Sequence, residues 1–312
     1  MKIDLEKAKK EFLKYTENYD LTNENINRKQ GHSIRVMNIS KQIATELNLT
    51  EEQIQIATLI GLLHDIARFE QYTQYQTYND NRSFDHGDYG VKILEKDMRK
   101  YIKTDKYDKL IKIAIKNHNK FEIEEGLNEE ESLFAKIIRD ADKIDIFYEG
   151  VTMFWNGKEE LVEGSLISPE VFKQIENKTQ VKREVRQTPI DNVLSVLGFI
   201  FDINFFKSFE ILKQEDYVNK MLNRYKMKDL DESTEEYDKL LDILKANDIK
   251  AFFYVGGNDS MDTCNKISKY MQKVGYPCRI MGIPKTIDND LFGTDHCPGF
   301  PSAAKYIATS IS

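Results

Sequence analysis

Four of the five histidines, His32, His64, His86 and His118, are spread through the first half of the chain, each beside polar or acidic neighbours. His64 is followed directly by Asp65, and an acidic cluster, R-D-A-D-K-I-D, begins at Arg139. Neutral imidazole nitrogens and carboxylate oxygens suit Mn, Fe, Co, Ni or Zn, and several helices can bring distant ligands to one centre. Any one of these histidines alone reads as an ordinary helix-terminal or solvent-facing residue. The ordered set His32, His64 with Asp65, and Asp140 instead suggests a metal-centred hydrolytic site.

The elements that must carry these residues are helical. Val36, Ile39, Ile43 and Leu47 recur at helical spacing, and Thr50 with Gln53 forms a capping-box signature for the next helix. Ile54, Ala57, Leu59, Leu62 and Leu63 continue that helix and deliver His64 and Asp65 near its C-terminal end. Asp85 suits the N-cap of a helix starting around His86, and Ile111, Ala114 and Ile115 form a buried side leading to His118. Phe134, Ile137, Ile138 and Ala141 predict a packed helix over 133–144. Residues 70–84, rich in Gln, Tyr and Asn, read as a surface loop or short lid. Further helices are expected over 170–185, over 190–225 with an interruption, and over 232–246.

Composition divides the chain. Residues 249–312 hold no glutamate, seven Lys or Arg against five Asp, four of the six prolines and six of the fifteen glycines. A domain boundary is therefore expected between 242 and 250, giving a helical domain over 1–248 and a second segment over 249–312. In that segment A-F-F-Y-V and R-I-M-G-I-P read as strands flanking a helix through Met261 to Val274. This is a β-α-β unit, too small alone to build an ordinary two-faced sheet.

The formal net charge of -7 argues against broad attraction to nucleic acid or anionic membrane, while leaving room for a local basic pocket. Three late cysteines, Cys264, Cys278 and Cys297, form no close metal-binding pair and fit a reducing compartment. The N-terminus has no apolar signal core and no apolar run is long enough to span a bilayer, so a cytoplasmic protein is expected. The lysine-rich stretch over 103–120 alternates charge with apolar residues and reads as a solvated helix face rather than a nucleic-acid footprint.

The ordered histidines and aspartates resemble the HD superfamily of metal-dependent phosphohydrolases, which are all-helical. The resemblance is strong over 28–148 and compatible to about 245. It places the first histidine at His32 in G-H-S, the paired ligands at His64 and Asp65 in L-L-H-D-I-A, and the distal aspartate at Asp140 in I-I-R-D-A-D-K. Branches with a second metal add two histidines in the interval occupied by His86 in F-D-H-G and His118 in K-N-H-N. The implied chemistry is hydrolysis of a phosphate monoester or phosphodiester with one or two divalent transition metals, Mg being admitted. His32, His64, Asp65 and Asp140 would hold the first ion, and His86 and His118 with a shared Asp65 the second.

Phosphate also needs cations nearby. Arg68, three residues after Asp65, and Lys143, three after Asp140, are placed close to the ligand face by helical continuation and join Asp65 as catalytic candidates. Lys120, two after His118, is expected to turn away unless the chain bends. Asp142 points well away from Asp140 around a helix, so Asp142 and Asp145 are expected behind the ligands, orienting a histidine or water.

The second segment is similar to an internal piece of phosphofructokinase, above all its pyrophosphate-dependent branch. The similarity lies in Y-V-G-G-N-D-S-M-D-T, I-M-G-I-P-K-T-I-D-N-D-L and T-D-H-C-P-G-F-P-S-A-A-K-Y-I-A. It implies that Gly256 and Gly257 let a phosphoryl donor approach the backbone, that Asp259 and Lys285 mark pyrophosphate use, and that Asp288 is the base, with Thr286 and Asp290 nearby. Asn258 stands where many relatives carry a magnesium-linked aspartate. Only residues 249–312 carry the resemblance, so an inactive fragment is expected rather than a pyrophosphate-dependent kinase.

The expectation is an all-α HD-type domain followed by an incomplete α/β segment. The substrate is expected to be a small phosphorylated metabolite or nucleotide, with self-association admitted as one way of covering the second segment's apolar surface. The alternative is a metal-stabilised helical domain that binds or regulates without catalysis.

Overall fold

A computed structural model describes all residues except 1, 2, 155, 156, 158, 164, 226–233, 286–299 and 312. It comprises two compact units, residues 1–227 and 228–312.

The first unit is helical throughout its described residues. It opens with α1 (Leu5–Thr16), capped by the Asp4 carboxylate, and α2 (Glu24–Glu46), capped by Asn23. In α3 (Glu51–Leu63) the Thr50–Gln53 capping box forms as the sequence predicts. Every residue of α3 from Gln55 to Leu63 is buried, because the helix runs through the centre of the unit. Its crossing against α2 is close at Gly61, where an added Cβ would stand 2.8 Å from the Val36 carbonyl oxygen and 2.6 Å from Ser40 Oγ.

The chain continues through α4 (Arg68–Tyr75), α5 (His86–Tyr101), α6 (Asp108–Asn117) and α7 (Glu129–Thr152). Residues 70–75, expected as loop, belong to α4; Phe69 and Gln71 are buried there, and this anchors the turn in helical form. Only the stretch after Gln76 is irregular, around a short 3-10 turn at Asp80–Arg82. The long α7 has an Asn128–Glu131 capping box and buries apolar and ionisable side chains alike. Ile137, Ile138, Ala141 and Ile144 face the core with Leu59, Leu62, Leu63, Ile66, Ile111 and Ile115.

Five shorter helices complete the unit: α8 (Glu160–Glu163), α9 (Pro169–Glu176), α10 (Pro189–Leu197), α11 (Phe206–Gln214) and α12 (Tyr217–Arg224). The helix expected over 170–185 ends at Glu176, followed by Asn177 and a left-handed Lys178. The fully buried Asp191 closes the capping box of α10 and also takes hydrogen bonds from Ser168 N and Oγ at 2.9 and 2.6 Å, joining α9 to α10.

The second unit contains α13 (Thr234–Ala246), β1 (Ala251–Gly256), α14 (Asn258–Lys273), β2 (Arg279–Pro284) and α15 (Phe300–Ile311). β1 and β2 pair in parallel, from Ala251 opposite Arg279 to Gly256 opposite Pro284, so the expected β-α-β unit is present. The units part at 227/228, earlier than the compositional change near 248. The reason is packing: Leu241 and Leu244 of α13 share a core with Ile267, Tyr270 and Met271 of α14. Phe253, Val255, Met281 and Ile283, by contrast, are exposed. No helix among the described residues is long and apolar enough to cross a membrane.

Candidate metal centre

The four histidines reach one buried region from four helices. His32 lies within α2, His64 and His118 directly follow α3 and α6, and His86 is the first residue of α5. Helix ends suit this task because their last carbonyls lack intrahelical partners. His64 Nδ1 donates to the Gly61 carbonyl at 2.8 Å and His118 Nδ1 to that of Ile115 at 2.6 Å. The other two rings use carboxylates: His32 Nδ1 meets Asp145 Oδ2 at 2.6 Å, and His86 Nδ1 meets Asp80 Oδ2 at 2.7 Å. These acceptors fix a ring proton at Nδ1 and leave each Nε2 facing inward.

The inward atoms form two clusters around Asp65. His32 Nε2 stands 3.2 Å from His64 Nε2, and His86 Nε2 stands 3.0 Å from His118 Nε2. Asp65 Oδ2 lies 3.4 Å from His32 Nε2 and 3.7 Å from His64 Nε2. Its Oδ1 lies 3.4 Å from His86 Nε2 and 3.5 Å from His118 Nε2. One carboxylate thus turns one oxygen to each histidine pair.

Asp140 does not complete the first cluster. It is fully buried and accepts hydrogen bonds from the backbone amides of Asn204 and Phe205, the former at 2.9 Å and the latter at 3.0 Å, and from Asn204 Nδ2. Asp142 takes the place expected for Asp140: its Oδ1 is 3.1 Å from His32 Nε2 and 3.6 Å from His64 Nε2. Two positions on a helix are separated by about 200°, so only one of the two aspartates can face the histidines. α7 therefore carries both carboxylates and turns Asp142, not Asp140, toward the histidines.

The electrostatics favour positive charge at this centre. Burial opposes ionisation of Asp65, but Lys29, His64 and Arg68 outweigh it and hold the carboxyl well below its ordinary range; Asp142 is held low by His32 and His64 against the same burial. Burial and Lys29 also disfavour charge on His32, yet the Asp142 and Asp145 carboxylates raise its pKa to about 9. His86 is pushed down to about 3 by burial and Arg68. The donor chemistry fits a cation: His86 and His118, each with its proton at Nδ1, face each other through Nε2 lone pairs 3.0 Å apart that cannot satisfy each other, and at His32 the neighbouring carboxylates draw a positive charge that an ion can supply in place of a ring proton. Triplets His32–His64–Asp142 and His64–Asp65–His118 each bring their ligand atoms within 4.8 Å of one another.

The surrounding cations have defined tasks. Arg68 reaches Asp65 Oδ1 at 3.3 Å and also donates to Gln71, the Tyr78 carbonyl and Asp80, so it holds Asp65 and the carboxylate behind His86. Lys29 Nζ, not foreseen, contacts Asp65 Oδ2 at 2.7 Å. The buried Lys143 pairs with Asp202 at 2.7 Å. Arg139 is buried, bonds the Asn117, Lys120 and Phe121 carbonyls, and pairs with Asp202, which fixes the turn carrying His118. Because the chain bends there, Lys120 turns into the site rather than away, pairing with Asp85 at 2.7 Å.

A cavity of about 670 Å³ opens onto His86, His118 and Asp142 and is also lined by Arg68, Lys120, Lys143, Lys182, Arg183 and Arg186. Arg183 and Arg186 come from a segment whose sequence carried no motif, and only the tertiary fold brings them here.

In the second unit, Gly256 and Gly257 form the turn from β1 into α14, and Lys285 N donates to the Gly256 carbonyl at 2.7 Å. A Cβ at Gly256 would collide with the Ser260 side chain. The side chain of Asp259, and Thr286, Asp288 and Asp290 entirely, lie outside the described residues.

Comparisons with known proteins divide along the same chain. An HD domain family model matches residues 30–146, and a phosphofructokinase family model matches 218–312, beginning earlier than the sequence motifs. A pyrophosphate–fructose 6-phosphate 1-phosphotransferase of Methylococcus capsulatus is 54% identical over 88 residues, covering 28% of this chain and 21% of its own. A sulfofructose kinase of Alkalicoccus urumqiensis is 48% identical over 62 residues, covering 20% and 16%. An ATP-dependent 6-phosphofructokinase of Aliivibrio fischeri is 36% identical over 74 residues, covering 24% and 21%. The chain spans about a fifth of the length of these curated relatives. No solved structure matches it. The chain therefore carries an HD domain over residues 30–146 and a phosphofructokinase-family segment over residues 218–312.

Proposed function

We propose that the first unit is a metal-dependent phosphohydrolase acting on a small phosphorylated metabolite or nucleotide. The observation that carries this reading is the Asp65 carboxylate set between two histidine pairs, next to a cavity with six cationic side chains. Asp80, Asp85, Asp142 and Glu184 are the acidic residues lining that cavity, so cations outnumber carboxylates locally although the chain carries a formal charge of -7. Such a local reversal of sign favours an anionic substrate.

His32, His64, Asp65 and Asp142 would hold one divalent transition ion, and His86, His118 and Asp65 a second. Ions held there activate water and stabilise charge developing on phosphoryl oxygens. The protein's own residues bind and orient. Lys143, whose pKa is lowered by burial and by Arg139, offers ammonium donors from the cavity wall, and Asp202 fixes its position. Arg68 serves the reaction by holding Asp65 and Asp80 in place, so its part is positional. Asp145 keeps the His32 proton at Nδ1 and so keeps Nε2 available to a cation.

The test is a panel of phosphate monoesters and nucleotides offered to the full chain in the presence of Mn, Fe, Co, Ni, Zn or Mg. Metal-dependent release of phosphate or nucleoside is expected, and it should disappear in Asp65→Ala. Tight metal binding without turnover on any substrate would instead favour a metal-stabilised binding domain.

A further inference from the structure

The hydrolytic reading uses Arg183 and Arg186 only as part of the cavity's positive charge. Arg183 opens and Arg186 follows a single 3-10 turn (Arg183–Val185), and among the described residues neither guanidinium has a carboxylate within ion-pair distance. Arg186 is half-buried: one Nη donates to Ser195 Oγ at 3.0 Å, while Nε is buried with no hydrogen-bond partner. Burial and repulsion from Arg183 push its pKa down to about 10. An open buried donor is unfavourable, and the carboxylates that attract these arginines, Asp80 at Arg183 and Glu184 and Asp191 at Arg186, form an ion pair with neither, so an anion seated between the two guanidinium groups would meet both needs.

The two arginines stand where two cavities adjoin. Both line the large cavity that opens onto His86, His118 and Asp142. Both also line an adjoining space of about 310 Å³ with Asn79, Asn81 and Asn192, none of which belongs to the histidine clusters. Glu184 is the carboxylate at that space, but it is exposed and pairs with neither arginine. A planar guanidinium fork matches the oxygens of phosphate or carboxylate, and neutral amides add donors without competing charge.

We propose that Arg183 and Arg186 form an anion subsite beside the metal centre, so that the substrate is a phosphate ester bearing a second anionic group away from the phosphoryl group that reacts. The substrate half of this statement rests on the hydrolytic reading; the subsite does not.

Calorimetric titration of the full chain with glucose 6-phosphate, 6-phosphogluconate and glucose 1,6-bisphosphate tests it without turnover, and the last two distinguish a carboxylate from a second phosphate. At least one of them should bind about tenfold or more tightly than glucose 6-phosphate, as expected for charge-assisted bonds. Arg183→Gln and Arg186→Gln should each cut that ratio about fivefold or more, with Arg186→Lys intermediate. Arg183 is exposed, so its variant reads the subsite even if Arg186→Gln perturbs folding. No preference in the unaltered chain, or an unchanged ratio in folded variants, would overturn the subsite. An arginine-dependent ratio in a chain that hydrolyses nothing would sustain the subsite and overturn the hydrolytic reading.

Discussion

Asp140 and Asp142 sit two residues apart on α7 and serve different ends: Asp142 Oδ1 lies 3.1 Å from His32 Nε2, whereas Asp140 holds the backbone amides of Asn204 and Phe205. The first faces the histidines and the second ties α7 to the entry of α11. This division makes the two carboxylates separable by substitution.

Asp142→Asn should weaken divalent-metal binding by more than the roughly 10–100-fold typical of losing an outer-shell partner. Asp140→Asn should leave metal stoichiometry intact and lower stability by about 1–3 kcal/mol, since burial already raises the Asp140 pKa and an amide oxygen still accepts part of its bonds. Metal titration and denaturant unfolding of both variants provide the check. A loss of metal confined to Asp140→Asn would reverse the assignment.

Gly61 is the second sensitive position. A methyl group there meets the Val36 backbone oxygen at 2.8 Å, which cannot swing aside, and the Gly61 carbonyl also orients His64. Gly61→Ala should therefore destabilise the first unit by about 1–3 kcal/mol. Metal affinity should fall with it. A thermal melt and metal titration indistinguishable from those of the unaltered chain would count against the close α2–α3 crossing.

Asp191 gives a pH dependence away from the metal centre. Burial opposes its ionisation, but the Ser168 hydroxyl and the Ser168, Gln187 and Thr188 amides hold its pKa below the ordinary value. A depressed carboxylate stabilises the fold above its unfolded pKa of about 3.9 and loses that contribution as pH falls through the folded value. Asp191→Ala should cost about 1–3 kcal/mol at neutral pH, and the gap to the unaltered chain should narrow below about pH 4. Urea unfolding at pH 7 and pH 3 reads this directly; a gap that stays constant would show the carboxylate's charge to be irrelevant.

The helical scaffold was legible where capping and periodicity agreed, as at Thr50–Gln53 and Asp85, and the four histidines could be grouped because their order matched a known motif. Asp142 was hidden by its own neighbour: R-D-A-D-K offers two aspartates, and α7 buries residues on so much of its circumference that apolar spacing does not say which one faces inward. Arg139, Arg183 and Arg186 were illegible for another reason. Their roles depend on the carbonyls at 117–121 and on cavities formed by distant segments, which local sequence does not encode. The boundary near 248 followed composition, whereas the packing of Leu241 and Leu244 assigns α13 to the second unit.

The most direct measurement is an anomalous-scattering map from crystals of the full chain grown with Mn. The account predicts a peak ligated by His32 Nε2, His64 Nε2, Asp65 Oδ2 and Asp142 Oδ1, with a second site at His86, His118 and Asp65 Oδ1, both lost in Asp65→Ala. A map without density at these atoms, or with the ion held by Asp140, would contradict it.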